Sequence, residues 1–404
     1  MMAWMTLCRE KFSLVSLNGR LLVIGDGIKV PKESQCQPGL TYLHSPSQNQ
    51  SKPQQFVGHH FGCIAFVAYQ ANTFRAILQA AQMHEGIEDA QSQSGDQHQE
   101  QPKTVVSRMM ALLQVVAMQQ NKPLYAGLDA LFSTVVAFGS VFHNLQANGS
   151  PWVHLITRAK SNYVAYVGIQ QHKQERVKLW DIFSKLTLFS VQPHPLHPER
   201  NVKIYQRDLY WGGESFLLRF VWVIDRNKQF ILMSSDTLLN ALDILKCYGL
   251  RFQIEFTFRV LKHLLGGFGY RFWSSLCRRT HATQALITVG KDPESTVAKK
   301  HALKLSAIER YVNLAIIAQG ILSYLAIMKT QWVWNVHQAS SWLRSYSSSV
   351  PSDEIVQRAL QSNFLTMFSW DMLKGWVDEN DPRKLPDKAG KVRCNHTLGH
   401  FLSD

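Results

Sequence analysis

Four side chains in the second half of the chain could act together: Tyr248, Arg251, Glu255 and Lys262, spaced Y-x2-R-x3-E-x6-K. On a regular α-helix the other three fall at roughly +20°, −40° and −20° from Glu255. The spacing therefore predicts one helix face carrying a carboxylate, two cations and a phenol. A carboxylate so placed can hold a divalent metal ion, and the Arg and Lys beside it can neutralise phosphates. The same spacing fits a plain i, i+4 ion pair, Arg251 with Glu255, on a solvated face with Lys262 exposed.

Two further carboxylates stand in or just after apolar runs. Asp26 lies within residues 21–30, LLVIGDGIKV, and Asp129 follows residues 124–128, LYAGL. A carboxylate in an apolar strand is costly unless something compensates it. Asp26 also reads as an Asp-Gly turn, and Asp129 as the N-cap of a helix beginning near Leu131. Asp181, Asp225 and Asp236 compete for the second position, but they sit inside or at the edge of a β-rich block. Arg158 and Lys160, at the end of an apolar strand, are the best-placed cations for phosphate contact. Lys29 and Lys32 near Asp26, and Arg271, Arg278 and Arg279 after the four-residue pattern, can serve the same way or remain solvated surface charges.

These elements have a family likeness. The run YGLRFQIEFTFRVLKH resembles the YREK signature of insertion-sequence DDE transposases, all four positions matching without a gap. IGDGIKVPKE at 24–33 resembles that family's first-strand motif, and GLDALF at 127–132 its second. LITRAKSN at 155–162 and GYRFWS at 269–274 resemble the segments that follow. The likeness spans residues 20–335. It implies an α/β fold: an RNase H-like mixed sheet flanked by helices, with a β-rich insertion before the catalytic Glu helix and a C-terminal helical part. It implies that Asp26, Asp129 and Glu255 are catalytic and bind two Mg²⁺ ions, for which Mn²⁺ can substitute. Tyr248, Arg251, Lys262, Arg158 and Lys160 would bind DNA. The implied activity is cleavage and strand transfer at the ends of an insertion sequence. The partners are double-stranded DNA, at element ends and target, and a second copy on that DNA, with no membrane. A catalytically inactive, DNA-binding remnant and a general metal-dependent nuclease are the alternatives. The family is also expected to flip a base near the cut, for which Trp211 and Trp222 are candidates; each also reads as a core aromatic. Relatives usually carry a DNA-binding region before the first Asp, whereas 25 residues precede Asp26 here.

The elements that must position these groups follow from patterning. Strands are expected at 21–30, 61–69, 124–128 and 152–157, and helices at 105–119 and 131–145. Residues 34–55 and 90–103 read as loops. Short alternating runs over 163–235 read as antiparallel strands. One long helix is expected over 238–265, with a break near Tyr248 and Gly249, then helices over 306–328 and 354–368. The expected organisation is 1–162, the first part of the core with both Asp; 163–236, the β-rich insertion; 237–344, the rest of the core with the YREK helix; and 345–404, a C-terminal helix and tail.

Composition agrees with a nucleic-acid partner. Of 404 residues, 46% are apolar, enough for a large core, and 43 Lys and Arg against 29 Asp and Glu give a formal charge of +14. Cys8, Cys36, Cys63, Cys247, Cys277 and Cys394 form no C-x-x-C pair, so they read as buried or free thiols in a reducing compartment. The first 20 residues lack the uninterrupted apolar stretch of a signal peptide, and the apolar run at 312–328 reads as a core helix. A cytoplasmic, nucleoid-associated protein is expected.

Overall fold

A run of four apolar residues, Leu21, Leu22, Val23 and Ile24, can bury alternate side chains on two opposite faces of a sheet. In the computed structural model it does so. Leu21 and Val23 join one hydrophobic core, while Leu22 and Ile24 join another. The structure describes residues 2–33, 37–44, 55–84, 104–168, 175–212, 216–271, 296–340, 347 and 349–367.

The chain opens with α1 (Met2–Lys11), β1 (Ser16–Leu17), β2 (Arg20–Pro31), β3 (Thr41–His44), β4 (Gln55–Gln70) and β5 (Thr73–His84). Then come α2 (Val105–Gln119), β6 (Leu124–Gly127), α3 (Val135–His143) and β7 (Val153–Arg158). The β-rich stretch holds β8 (Val164–Val167), β9 (Glu175–Lys178), β10 (Ser190–His194), β11 (His197–Trp211), β12 (Phe216–Asp225) and β13 (Lys228–Ser234). Helices α4 (Ala241–Leu250), α5 (Gln253–Arg259), α6 (Thr296–Met328), α7 (Thr330–Ser340) and α8 (Asp353–Met367) complete it.

The fold is mixed α/β, one large sheet flanked by helices. β5, β4, β2, β6, β7, β13, β12, β11, β8 and β9 neighbour one another in that order, with β3 on the start of β4, β1 on β2 and β10 on β11. The centre, β2–β6–β7, is parallel, and the pairings on either side of it are antiparallel. Parallel neighbours need crossover connections, and α2 and α3 supply them. Met109, Met110 and Leu113 of α2 and Phe138 of α3 pack on one face of the sheet. Ile244 and Leu245 of α4, Ile254 of α5, and Ile308, Val312 and Ile316 of α6 pack on the other. The β-rich stretch continues the same sheet, because Met233 of β13 pairs with Thr157 of β7.

Several expectations shift in detail. No strand was expected over β5, whose Ala, Gln and Leu favour helix. The tight turn at Ala71 and Asn72, both with positive φ (51° and 57°), folds it back as a hairpin on β4. The helix expected over 131–145 starts later. Asp129 caps a 3₁₀ turn, Ala130–Phe132, and Thr134 then caps α3. The run VKLWDIF gives only the short β9 before a 3₁₀ turn, Leu179–Ser184. The long helix over 238–265 breaks at Arg251 and Phe252, between α4 and α5, and ends in a π-helical turn, Val260–Leu264. Cys8, Cys63 and Cys247 are buried and free, as expected; Cys36, Cys277 and Cys394 lie outside the described residues. Among the described residues one helical stretch, Ala302–Met328, is long and apolar enough to cross a membrane by length and composition.

Candidate active site

Strand register builds the site. Ile24 of β2 pairs with Gly127 of β6, which pairs with Ile156 of β7. Two residues further along each chain stand Asp26, Asp129 and Arg158. A step of two returns to the same face of a strand, so Asp26 shares the face of Ile24, toward α4 and α5. Gly127 lets the α4 backbone come close; a Cβ there would lie 3.4 Å from the Cys247 carbonyl oxygen. Helix α4 then carries Tyr248 to the strand ends, and the break after Leu250 aims Arg251 at Asp26.

Arg251 joins two of the expected carboxylates. Its Nη1 donates to Asp26 Oδ2 at 2.9 Å and its Nη2 to Glu255 Oε1 at 3.4 Å. The Arg251 side chain is 15% exposed, Asp26 20% and Glu255 43%. The other Asp26 oxygen accepts from the Gly27 amide at 2.7 Å. Burial pushes the Asp26 carboxyl up to about 6. The Arg251 guanidinium and the Gly27 amide oppose that shift, while the charges of Asp129 and Glu255 add to it. Asp26 thus feels the charge of each of the other two carboxylates. Tyr248 is raised by burial, and it feels Arg251, Arg158 and Asp129.

Asp129 realises its capping alternative while holding its place in the row. Its Oδ1 accepts from Leu131 N at 2.9 Å, and its carbonyl accepts from Thr157 Oγ1 at 2.5 Å. The competitors are placed elsewhere. Asp225 pairs with Arg200 at 3.3 Å. Asp236 is buried and accepts from Tyr125 Oη at 2.6 Å. Asp181 lies in the 3₁₀ turn after β9.

The cations divide. The Arg158 guanidinium lies 5.7 Å from the Phe230 ring centre, and Lys160 is exposed beyond the end of β7. Lys262 is exposed on the π-helical turn, so the uniform-helix geometry that grouped it with Glu255 does not hold there. Lys29 donates to the His44 carbonyl, and Lys32 to that of Phe268 while lying 3.6 Å from the Tyr270 ring centre. Arg278 and Arg279 lie outside the described residues.

Trp211 and Trp222 are core aromatics, 7% and 0% exposed, and Trp222 Nε1 donates to the Leu179 carbonyl. The aromatics near Glu255 that do face solvent are Phe252 and Phe256, 51% and 55% exposed, with ring centres 5.3 Å apart. The signal for them was present: two Phe at i, i+4 inside the four-residue pattern.

Comparison with protein-family models and with curated proteins gives no match.

The metal chemistry rests on the donor set alone. Three carboxylates offer the hard oxygens that Mg²⁺ takes. As the side chains stand, no three His, Cys, Asp or Glu groups among the described residues are close enough to share an ion. Arg251 fills the interval between Asp26 and Glu255.

Proposed function

We propose that this chain is a DDE-type DNA transposase with an RNase H-like core. The observation that carries the proposal is the convergence at Asp26, where Arg251 bonds both Asp26 and Glu255 and the Asp129 charge is felt. The strand order β5-β4-β2-β6-β7 supports the RNase H-like assignment. So does the placement of the acids. The first lies on β2, the second directly after β6, the fourth of β2, β4, β5 and β6. The third follows the β-rich stretch on a helix.

Asp26, Asp129 and Glu255 would hold the divalent ions, which when bound activate the attacking oxygen and stabilise the leaving one. The remaining roles belong to the chain's own groups. Arg251 has a fork of donors that matches phosphate as well as carboxylate, so the scissile phosphate can take over its bonds. Tyr248 orients the guanidinium from below and offers a phenolic donor. Arg158 and Lys160 at the end of β7, and the exposed Lys262, would hold the flanking backbone without reading sequence. Two copies would act together on the two ends of one element.

The test is cleavage of DNA carrying the element's ends in Mg²⁺, wild type against Glu255→Ala. We expect the wild type to cut and join at the ends, and the variant to bind the same DNA without cutting. Equal binding with no cutting by either protein leaves a DNA-binding remnant. Cutting without end preference or joining leaves a general nuclease.

A further inference from the structure

Gly27 of β2 and Gly62 of β4 face each other across the sheet. Neither carries a side chain, so they leave a hollow on the face that α2 covers. Asp26 points to the opposite face, one residue along β2. Two imidazoles lean into the hollow. A Cβ on Gly27 would meet His60 Nε2 at 2.6 Å, and a Cβ on Gly62 would meet His84 Nε2 at 2.6 Å. Cβ positions of facing residues stand about 4.5–5.5 Å apart, so both nitrogens lie over one glycine pair. The rings come from paired positions on β4 and β5, and their centres are 5.0 Å apart. Met109 of α2 lies over the same glycines. Its Sδ would be 3.3 Å from a Cβ on Gly25, and its Cε 3.3 Å from one on Gly62. His84 is 3% exposed, and neither of its ring nitrogens has a hydrogen-bond partner among the described residues. A buried polar group left so is costly, and a metal ion would satisfy the acceptor nitrogen.

We propose that His60, His84 and Met109 form a site for one Cu(I) ion, held by two imidazole nitrogens and a thioether sulfur. Burial lowers His60 to about 4 and His84 to about 3, so at pH 7 both rings are uncharged and each offers a lone pair. Imidazole suits several transition metals, but a thioether selects Cu(I). The Cys63 thiol, between Gly62 and Ile64 on β4, packs into the opposite core, so thioether rather than thiolate is the sulfur on this face. The charges that act on the rings are cationic, Lys29 on His60 and Arg108 on His84. A singly charged ion is opposed by them less than Zn²⁺ or Cu²⁺. Three rotatable bonds let the Met109 sulfur close on the ion. The site joins β4, β5 and α2 and does not rest on the transposase reading.

The experiment is anaerobic titration of the full chain with Cu(I) against a chromophoric Cu(I) chelator, after alkylation of its reactive thiols, followed by copper X-ray absorption. The variants are Met109→Leu and His84→Ala. We expect wild type to withdraw one equivalent of copper from the chelator. The absorption fine structure should show nitrogen at about 2.0 Å and sulfur at about 2.3 Å. Loss of an outer-shell partner already weakens metal binding by about 10–100-fold, so each variant should bind at least about tenfold more weakly. Met109→Leu should also lose the sulfur shell. Leu in place of Met conserves volume, so this variant keeps its fold even where His84→Ala, which opens a cavity, does not. A sulfur shell that persists in Met109→Leu assigns the copper to a cysteine and overturns the proposal. So does wild-type protein that takes no copper from the chelator, or that binds Zn²⁺ more tightly than Cu(I). Cleavage of DNA is not read in any of these steps, so failure here is distinct from failure of the transposase assignment.

Discussion

Arg251 bonds both Asp26 and Glu255, so a divalent cation bound between them would compete with it for the same oxygens. Arg251→Gln removes the internal cation and leaves Asp26 facing the charges of Asp129 and Glu255 unopposed. In the absence of divalent ions we expect the variant to be less stable than wild type by about 1–3 kcal/mol. We also expect a larger rise in Tm on adding Mn²⁺. Differential scanning fluorimetry checks both, and a variant whose Tm ignores Mn²⁺ counts against carboxylates that bind metal. Histidines supply a second residue-scale prediction. Burial lowers His59, His60 and His154 to about 4 and His84 to about 3, and both His84 ring nitrogens lack a partner. The unfolded chain takes up these protons near its ordinary value of about 6.5, and the folded chain does not. Their stabilising contribution is therefore complete above that value and is lost as pH falls toward 4, by up to about 1.4 kcal/mol per pH unit per group. Urea titrations from pH 7 to 4.5 should show that slope, and His84→Gln should flatten it.

At the scale of elements, α1 buries Trp4, Met5 and Cys8 against the core, and Trp4 is its largest contact. The Trp4 indole lies against Gly320 of α6, where a Cβ would meet it at 2.1 Å, and its Nε1 donates to the Leu78 carbonyl at 3.0 Å. Gly320→Ala has to expel the indole, so we expect α1 to detach, with a loss of about 1–3 kcal/mol and faster amide exchange confined to residues 2–12. Unchanged exchange there would show that α1 docks by other contacts. The elements also show what a sequence records. Apolar periodicity located β2, β4, β6, β7 and α2 because each carries a local pattern. β5 left no such mark: TFRAILQAAQMH is rich in helix formers, and its pairing along β4 overrode that preference. The four-residue pattern located Arg251 and Glu255 correctly relative to each other. Lys262 lies on a π-helical turn, where the angle per residue differs from that of the regular helix the pattern assumes. The row of Asp26, Asp129 and Arg158 depends on the register of β2 on β6 and of β6 on β7, strands far apart in the chain, which no local run of residues encodes.

At the scale of the molecule, a charge of +14 makes salt the natural probe. Between 50 and 200 mM salt we expect DNA affinity to fall by about 10³ or more, as for proteins neutralising six to ten phosphates. Arg158→Ala and Lys160→Ala should each lower the slope of log affinity against log salt by about one. Fluorescence anisotropy on end-containing and unrelated duplexes measures it, and a slope that neither substitution alters would take the strand end of β7 out of the DNA path. The order of the acids along the chain has a consequence in time. Asp26 lies on β2 and Asp129 just after β6, in a parallel centre whose strands are all made by residue 158, while Glu255 comes on a helix synthesised about a hundred residues later. At about 5–20 residues per second, a nascent chain spends roughly 5–20 seconds with two acids of the three. A chain interrupted anywhere in that interval has the β2–β6–β7 centre and both of its acids but lacks the helix that carries Glu255.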